Sequence, residues 1–152
     1  MSFSAAAPLV DTLRQRVLRM RTGVLLLEAA LLGKEAELAA RLGIAAVDVC
    51  SWMLRRIEPQ QRFLGIRWEM LINDLAAIAE DRALSGDCVL VYNMDVVLAA
   101  VLYDERLRFW NFLRSSFRPH RGIILALPQG APHLFDSADR ACWERDGRLA
   151  AC

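Results

Sequence analysis

Three short stretches of this 152-residue chain carry side chains that could handle phosphate. The first is Gly33-Lys34-Glu35, a few residues after the apolar run Val24-Leu25-Leu26-Leu27. Glycine lets backbone amides approach an anion closely, and a lysine beside it can reach phosphate oxygens. The second is Asn93-Met94-Asp95, directly after Val89-Leu90-Val91-Tyr92, because a carboxylate at the end of an apolar strand can hold magnesium. The third is Gln129, between Pro128 and Gly130 after Ile123 to Leu127, where a polar amide could read a ligand or lie in a solvated turn. Gly33, Lys34, Glu35, Asn93, Asp95 and Gln129 are therefore the candidate ligand-binding positions, with Asp95 the catalytic candidate, on magnesium, if the site is active.

Other chemistries find less support. Cys50, Cys88, Cys142 and Cys152 have no CxxC spacing and lie in or beside apolar segments, as buried free thiols do, so disulfides are not expected. His120 and His133 pair with no cysteine at zinc-ligand spacing, and no metal cage is expected. No serine or cysteine sits in a Gly-x-Ser-x-Gly elbow, which leaves nucleophilic hydrolysis without a motif.

Strands and helices must hold these positions. Leu9, Val10, Leu13, Val17, Leu18 and Met20 recur at helical spacing with arginines opposite, which predicts an amphipathic helix within residues 1–22. Val24 to Leu27, Ile44 to Val49, Cys88 to Tyr92 and Gly122 to Leu127 are short apolar runs, as strands covered on both faces are. Between them the spacing predicts helices over Ala29 to Leu42 with Gly43 as C-cap, Ser51 to Ile57 before Pro59, Arg67 to Leu84 before Gly86, Asp104 to Phe117, and Ala138 to Trp143 with Ser137 as N-cap. Asp95 reads as the cap of a further helix, and Arg148 to Cys152 as a short edge strand. Strands alternating with helices imply parallel βαβ units, hence an α/β three-layer sandwich of four or five strands in one domain over residues 1–152. Ligands in such sheets sit beyond the carboxyl ends of strands, here Glu28, Cys50, Asn93 and Pro128.

Hydrophobic residues make up 55% and charged residues 24%, which excludes a disordered chain. No apolar run approaches the ~20 residues of a membrane span, and residues 1–9 lack a basic region before an apolar one, so a cytoplasmic protein with no membrane partner is expected. A net charge of +1 provides no global field for nucleic acid. Yet Lys34 is the one lysine among 19 basic residues, and the arginines cluster at Arg14, Arg16, Arg19 and Arg21, at Arg55, Arg56 and Arg62, and from Arg106 to Arg121. Such clusters are either solvated helix faces or stripes that bind nucleic-acid phosphates. The helix with Arg106, Arg108, Trp110, Arg114 and Arg118 is also a candidate protein interface, unless Trp110 belongs to the core.

The stretch Glu28-Ala29-Ala30-Leu31-Leu32-Gly33-Lys34-Glu35 resembles a Walker A motif. Gly33 and Lys34 match; Glu28 stands where the pattern has its first glycine, and Glu35 where it has the magnesium-binding hydroxyl. Val89 to Asp95 resembles a Walker B strand with Tyr92 or Asn93 at the aspartate position, and Gln129 is similar to the sensor residue of AAA-type P-loop ATPases. In layout and size, from Arg19 to Arg148, the chain resembles the small P-loop proteins of bacterial BREX phage-defence systems, best at Leu90 to Ala99. The resemblance implies a degenerate P-loop domain that contacts other protein subunits in a defence or nucleic-acid-processing complex. It implies ATP with magnesium as the cofactor if one is kept, with Lys34 on phosphate and Asn93 with Asp95 near the metal. An atypical weak ATPase and a nucleic-acid-binding module with arginine-rich helices are the alternatives.

Overall fold

In the computed structural model, which describes residues 3–15, 20–56 and 65–152, the apolar runs become the strands of one parallel sheet. The strands are β1 (Thr22–Leu27), β2 (Ala45–Asp48), β3 (Cys88–Tyr92), β4 (Gly122–Pro128) and β5 (Leu149–Ala151), in the order β2-β3-β4-β1-β5. The described α-helices are α1 (Ala6–Arg14), α2 (Glu35–Leu42), α3 (Val49–Arg55), α4 (Trp68–Ala79), α5 (Met94–Ala99), α6 (Tyr103–Ser115) and α7 (Arg140–Arg145).

Side chains alternate across each strand, so the central strands need apolar residues at every position. Val24 and Leu26 of β1, Val89 and Val91 of β3, and Ile123, Leu125 and Leu127 of β4 face a core built with α3 to α7. Leu25 and Leu27, Cys88 and Leu90, and Ile124 and Ala126 face the opposite core, built with α1 and α2. The molecule is therefore an α/β three-layer sandwich. From β1 the chain crosses to the far edge through α2 on one face, then returns through β3 and β4 and passes β1 to reach β5 with its helices on the other. Opposite directions on opposite faces are what a uniform right-handed crossover requires.

Several boundaries differ from the expectation, each for a local reason. The predicted helix from Ala29 to Leu42 is broken: a 3-10 turn at Ala29–Leu31 is followed by extended Leu32 and by Gly33 at φ 85°, and α2 begins only at Glu35. The helix predicted over Arg67 to Leu84 stops at Ala79, because the Arg121 guanidinium takes the carbonyls of Ile78, Asp81, Leu84 and Gly86 at 2.9–3.2 Å. Ser137 caps no helix; its hydroxyl donates to the Pro132 carbonyl at 2.8 Å, and α7 starts after a 3-10 turn at Ser137–Asp139. The first helix ends at Arg14, while its predicted continuation through Val17 and Leu18 lies outside the described residues, as do Ile57 and Pro59. Gly43, at φ 69°, closes α2 as its position after Leu42 predicts. Among the described residues no helix is long and apolar enough to cross a membrane.

Candidate site at the carboxyl edge of the sheet

The connections after β1 and β4 leave on opposite faces, which makes the carboxyl ends of these neighbours the switch point where α/β sheets bind ligands. Backbone bonds occupy much of it. The Gln129 amide N–H extends the ladder onto the Leu27 carbonyl at 2.8 Å, its side-chain nitrogen reaches the Leu26 carbonyl at 3.4 Å, and the Glu28 N–H donates to the Cys152 carbonyl at 2.7 Å.

The loop from β1 to α2 is similarly self-contained. The N–H groups of Leu31, Leu32 and Lys34 donate to the carbonyls of Glu28, Ala29 and Leu31 at 3.0, 3.3 and 3.0 Å. A phosphate cradle needs such amides pointing outward at the ligand. Gly33 has the left-handed φ of a phosphate loop, with open space where a Cβ would stand. Lys34 is exposed and enters none of the ion pairs of the described residues. Glu35, the first residue of α2, is instead turned inward and only 8% exposed.

A second group of residues meets beyond β2 and β3. Asp48 leaves β2 as the N-cap of α3: one carboxylate oxygen accepts from the N–H of Cys50 at 2.9 Å and of Ser51 at 3.4 Å, and the other from the Ser51 hydroxyl at 3.2 Å. The Asn93 side chain lies close enough to favour the charge of the same carboxylate. Burial works to raise the Asp48 pKa, but the neighbouring Asn93 amide and the bonds from Ser51 and Cys50 outweigh it and hold the carboxyl below its ordinary value. Asn93 itself sits at φ 63°, the one non-glycine residue in left-handed backbone among the described residues. It precedes α5 without a side-chain cap bond, and Asp95, expected as the cap, falls in the first turn, where the helix dipole favours its charge.

Tyr92 joins the two groups. Its half-buried phenol is pushed above the ordinary tyrosine value by burial first, then by the charges of Asp48 and Glu35. The Cys50 thiol, which donates to the Asn93 carbonyl at 3.7 Å, is pushed up by burial and by Asp48 and Asp95. Glu35, Asp48, Asn93 and Asp95 thus share one neighbourhood, whereas Gln129 turns back onto β1 and Lys34 points to solvent. Among the described residues no group of three or more His, Cys, Asp or Glu side chains is placed to hold a metal ion. The sequence reading missed Asp48 as the organising carboxylate; its signal was an aspartate between an apolar run and a helix, the pattern of an N-cap.

Comparison with known families, with curated proteins and with solved structures finds no match to this chain.

The arginine clusters are largely spent inside the fold. Arg14 pairs with Asp87 at 3.1 Å, and Arg21 donates to the carbonyls of Leu13, His120 and Asp87. Arg106 binds the carbonyls of Leu98 and Val101 at 3.2 and 3.1 Å, and Arg114 pairs with Asp136 and with Asp139. Arg56 pairs with Asp74 at 2.6 Å, and Arg55 lies 5.9 Å from the Trp52 ring centroid. Arg108 and Arg118 are exposed, while Arg16, Arg19 and Arg62 lie outside the described residues. Trp110 is core: its indole N–H donates to the Leu134 carbonyl at 2.8 Å and its ring packs edge-on against Phe135 and Trp143.

Proposed function

We propose that this domain is a P-loop-like scaffold without phosphate chemistry, working through protein contacts as an accessory subunit of a bacterial defence or nucleic-acid-processing complex. The observation that carries the reading is the loop between β1 and α2, whose amides at Leu31, Leu32 and Lys34 are committed to its own carbonyls. A triphosphate would have to break those bonds before gaining any. The surface around this loop favours contacts instead. The exposed large hydrophobic side chains of the described residues are Leu32, Leu54, Val96, Leu102, Tyr103 and Leu107. All lie on segments leaving the carboxyl ends of β1, β2 and β3, and none on the turns that return to the amino ends. Apolar exposure gathered on one side of a molecule marks interaction surfaces.

A second reading, ATP binding with weak hydrolysis, is favoured by the left-handed Gly33 and the unpaired Lys34 beside it. In it Lys34 contacts phosphate, Asp95 serves magnesium, and Glu35, Asn93 and Gln129 line the site. Calorimetry with ATP and magnesium separates the two. The scaffold reading expects no heat from the natural protein or from Lys34→Ala; micromolar binding that Lys34→Ala abolishes overturns it in favour of the nucleotide site.

A further inference from the structure

Tyr103, Arg106, Leu107 and Trp110 recur along α6 at the i, i+3, i+4, i+7 spacing that puts four side chains on one stripe of a helix. Together with the segment after β4, from Pro132 to Ala138, this stripe lines a cavity of about 260 Å³. Trp110 and Phe135, both buried, form its depth, their rings 5.5 Å apart and edge-on at 82°. Tyr103 and Leu107, 65% and 45% exposed, stand at its mouth. Such walls favour an aromatic occupant, because ring-on-ring contacts add to the apolar area buried.

The polar side chains around the cavity are not equally free. Asp136, the one acid among the described lining residues, is held by Arg114 and by the Trp143 indole, and the Ser137 hydroxyl donates to the Pro132 carbonyl. Arg106 is different. Its Nη1 donates to the carbonyls of Leu98 and Val101, which fixes the guanidinium 6.0 Å from the Tyr103 ring centroid, while Nε and Nη2 make no hydrogen bond with the described residues. Two donors on one edge of a planar guanidinium match the two oxygens of a carboxylate. The acids of the first turn of α6 do not neutralise this edge from within the cavity: Glu105 accepts the Trp68 N–H at 2.9 Å, and Asp104 lies off the stripe.

We propose that this cavity binds a small aromatic carboxylate, its ring among Tyr103, Trp110 and Phe135 and its carboxylate on Nε and Nη2 of Arg106. The volume falls just below the roughly 300–1,000 Å³ of pockets for drug-sized ligands, which selects one ring on a short arm. A single open guanidinium edge selects a ligand with a single carboxylate. The assignment goes beyond the scaffold reading and does not rest on it, since no residue of the loop between β1 and α2 lines the cavity.

The test follows the Trp110 indole N–H, which donates to the Leu134 carbonyl at 2.8 Å, by NMR of the isotope-labelled full chain titrated with phenylacetate. A saturable shift is expected, with a dissociation constant on the order of 1 mM or below. Phenethylamine, which carries a cation in place of the carboxylate, and acetate, which lacks the ring, are expected to leave the signal unmoved. Arg106→Gln is expected to weaken binding about tenfold or more. Because that change also frees two carbonyls, Ala138→Phe supplies a second variant, filling the cavity from an exposed lining position, and is expected to abolish binding. Arg108→Gln removes the same charge from an exposed position of α6 off the stripe and is expected to leave binding intact. Absence of a saturable shift with phenylacetate overturns the proposal. So does undiminished binding in a folded Arg106→Gln or in Ala138→Phe, an equal loss in Arg108→Gln, or equal binding of phenethylamine. Tighter binding of a Gly-Gly-Phe peptide with a free carboxyl end also overturns it, assigning the cavity to the terminus of a partner chain.

Discussion

The guanidinium of Arg148 lies over the Trp143 indole, 4.3 Å from the ring centroid, and both side chains are sealed from water. Its N–H groups reach the carbonyls of Thr22 at 2.7 Å, Arg114 at 2.9 Å and Leu113 at 3.2 Å, and the Thr22 hydroxyl. One residue thus joins the start of β1, the end of α6 and the entry to β5. Burial draws its pKa down to about 10, which still leaves it charged at neutral pH.

Arg148→Met is therefore expected to cost about 3 kcal/mol, because it orphans buried carbonyls as well as removing a stacked cation. Thermal unfolding should fall by roughly 6–12 °C. Arg148→Lys should recover little of the loss, since an ammonium cannot satisfy so many divergent acceptors. A methionine variant as stable as the natural protein would mean that the buried charge contributes nothing net.

Asp48→Ala removes the cap of α3 and is expected to cost about 1 kcal/mol in urea unfolding at pH 7. The pH dependence follows from the lowered carboxyl: its stabilisation is fully present above the ordinary value of 3.8 and is lost as pH falls through the lower folded-state value. The variant should lack that acid-side loss. Asn93→Gly keeps the left-handed backbone but removes the amide that favours the Asp48 charge, so it should move the loss to higher pH. An unchanged acid transition in Asn93→Gly would dismiss that role for the amide.

A Cβ on Gly122 would stand 2.9 Å from the Cys88 sulfur and 3.2 Å from Leu13 Cβ. Gly122→Ala is expected to cost about 1–3 kcal/mol by overpacking. Adding Cys88→Ala should return part of that loss, a coupling that a double-mutant cycle measures. Strictly additive effects would place the strain on Leu13 and α1 instead.

Asp136 accepts from the Trp143 indole N–H at 3.0 Å and pairs with the largely buried Arg114. Asp136→Ala should destabilise by about 3 kcal/mol, since it leaves a shielded guanidinium with only Asp139, 3.1 Å away, for a carboxylate. Tryptophan fluorescence should change with it because the indole loses its acceptor. A cost below about 1 kcal/mol would show that Asp139 takes over.

What the chain disclosed about itself divides along physical lines. Strands such as Cys88–Tyr92 were legible because burial on both faces demands uninterrupted apolar residues. The break at Gly33 was not, since alanine and leucine are strong α-helix formers, and the loop's conformation depends on its own hydrogen bonds. Arginines read as candidate phosphate contacts proved hardest. Arg21, Arg106 and Arg121 bind main-chain carbonyls, and carbonyls leave no trace in a sequence. Of the expected strand ends, Glu28 and Asn93 directly follow β1 and β3, whereas Cys50 lies inside α3 and Pro128 is the last residue of β4; that Tyr92 lies beside Asp48 requires β2 to pair with β3, which no local pattern specifies.

The sheet is flanked on both sides by brief strands, β2 over Ala45–Asp48 and β5 over Leu149–Ala151. So few residues offer an incoming peptide only a handful of main-chain donors and acceptors, too short a ladder to template another chain. Growth of this protein into larger structures by extending its sheet is thereby discouraged, and whatever it joins must recognise side chains rather than backbone.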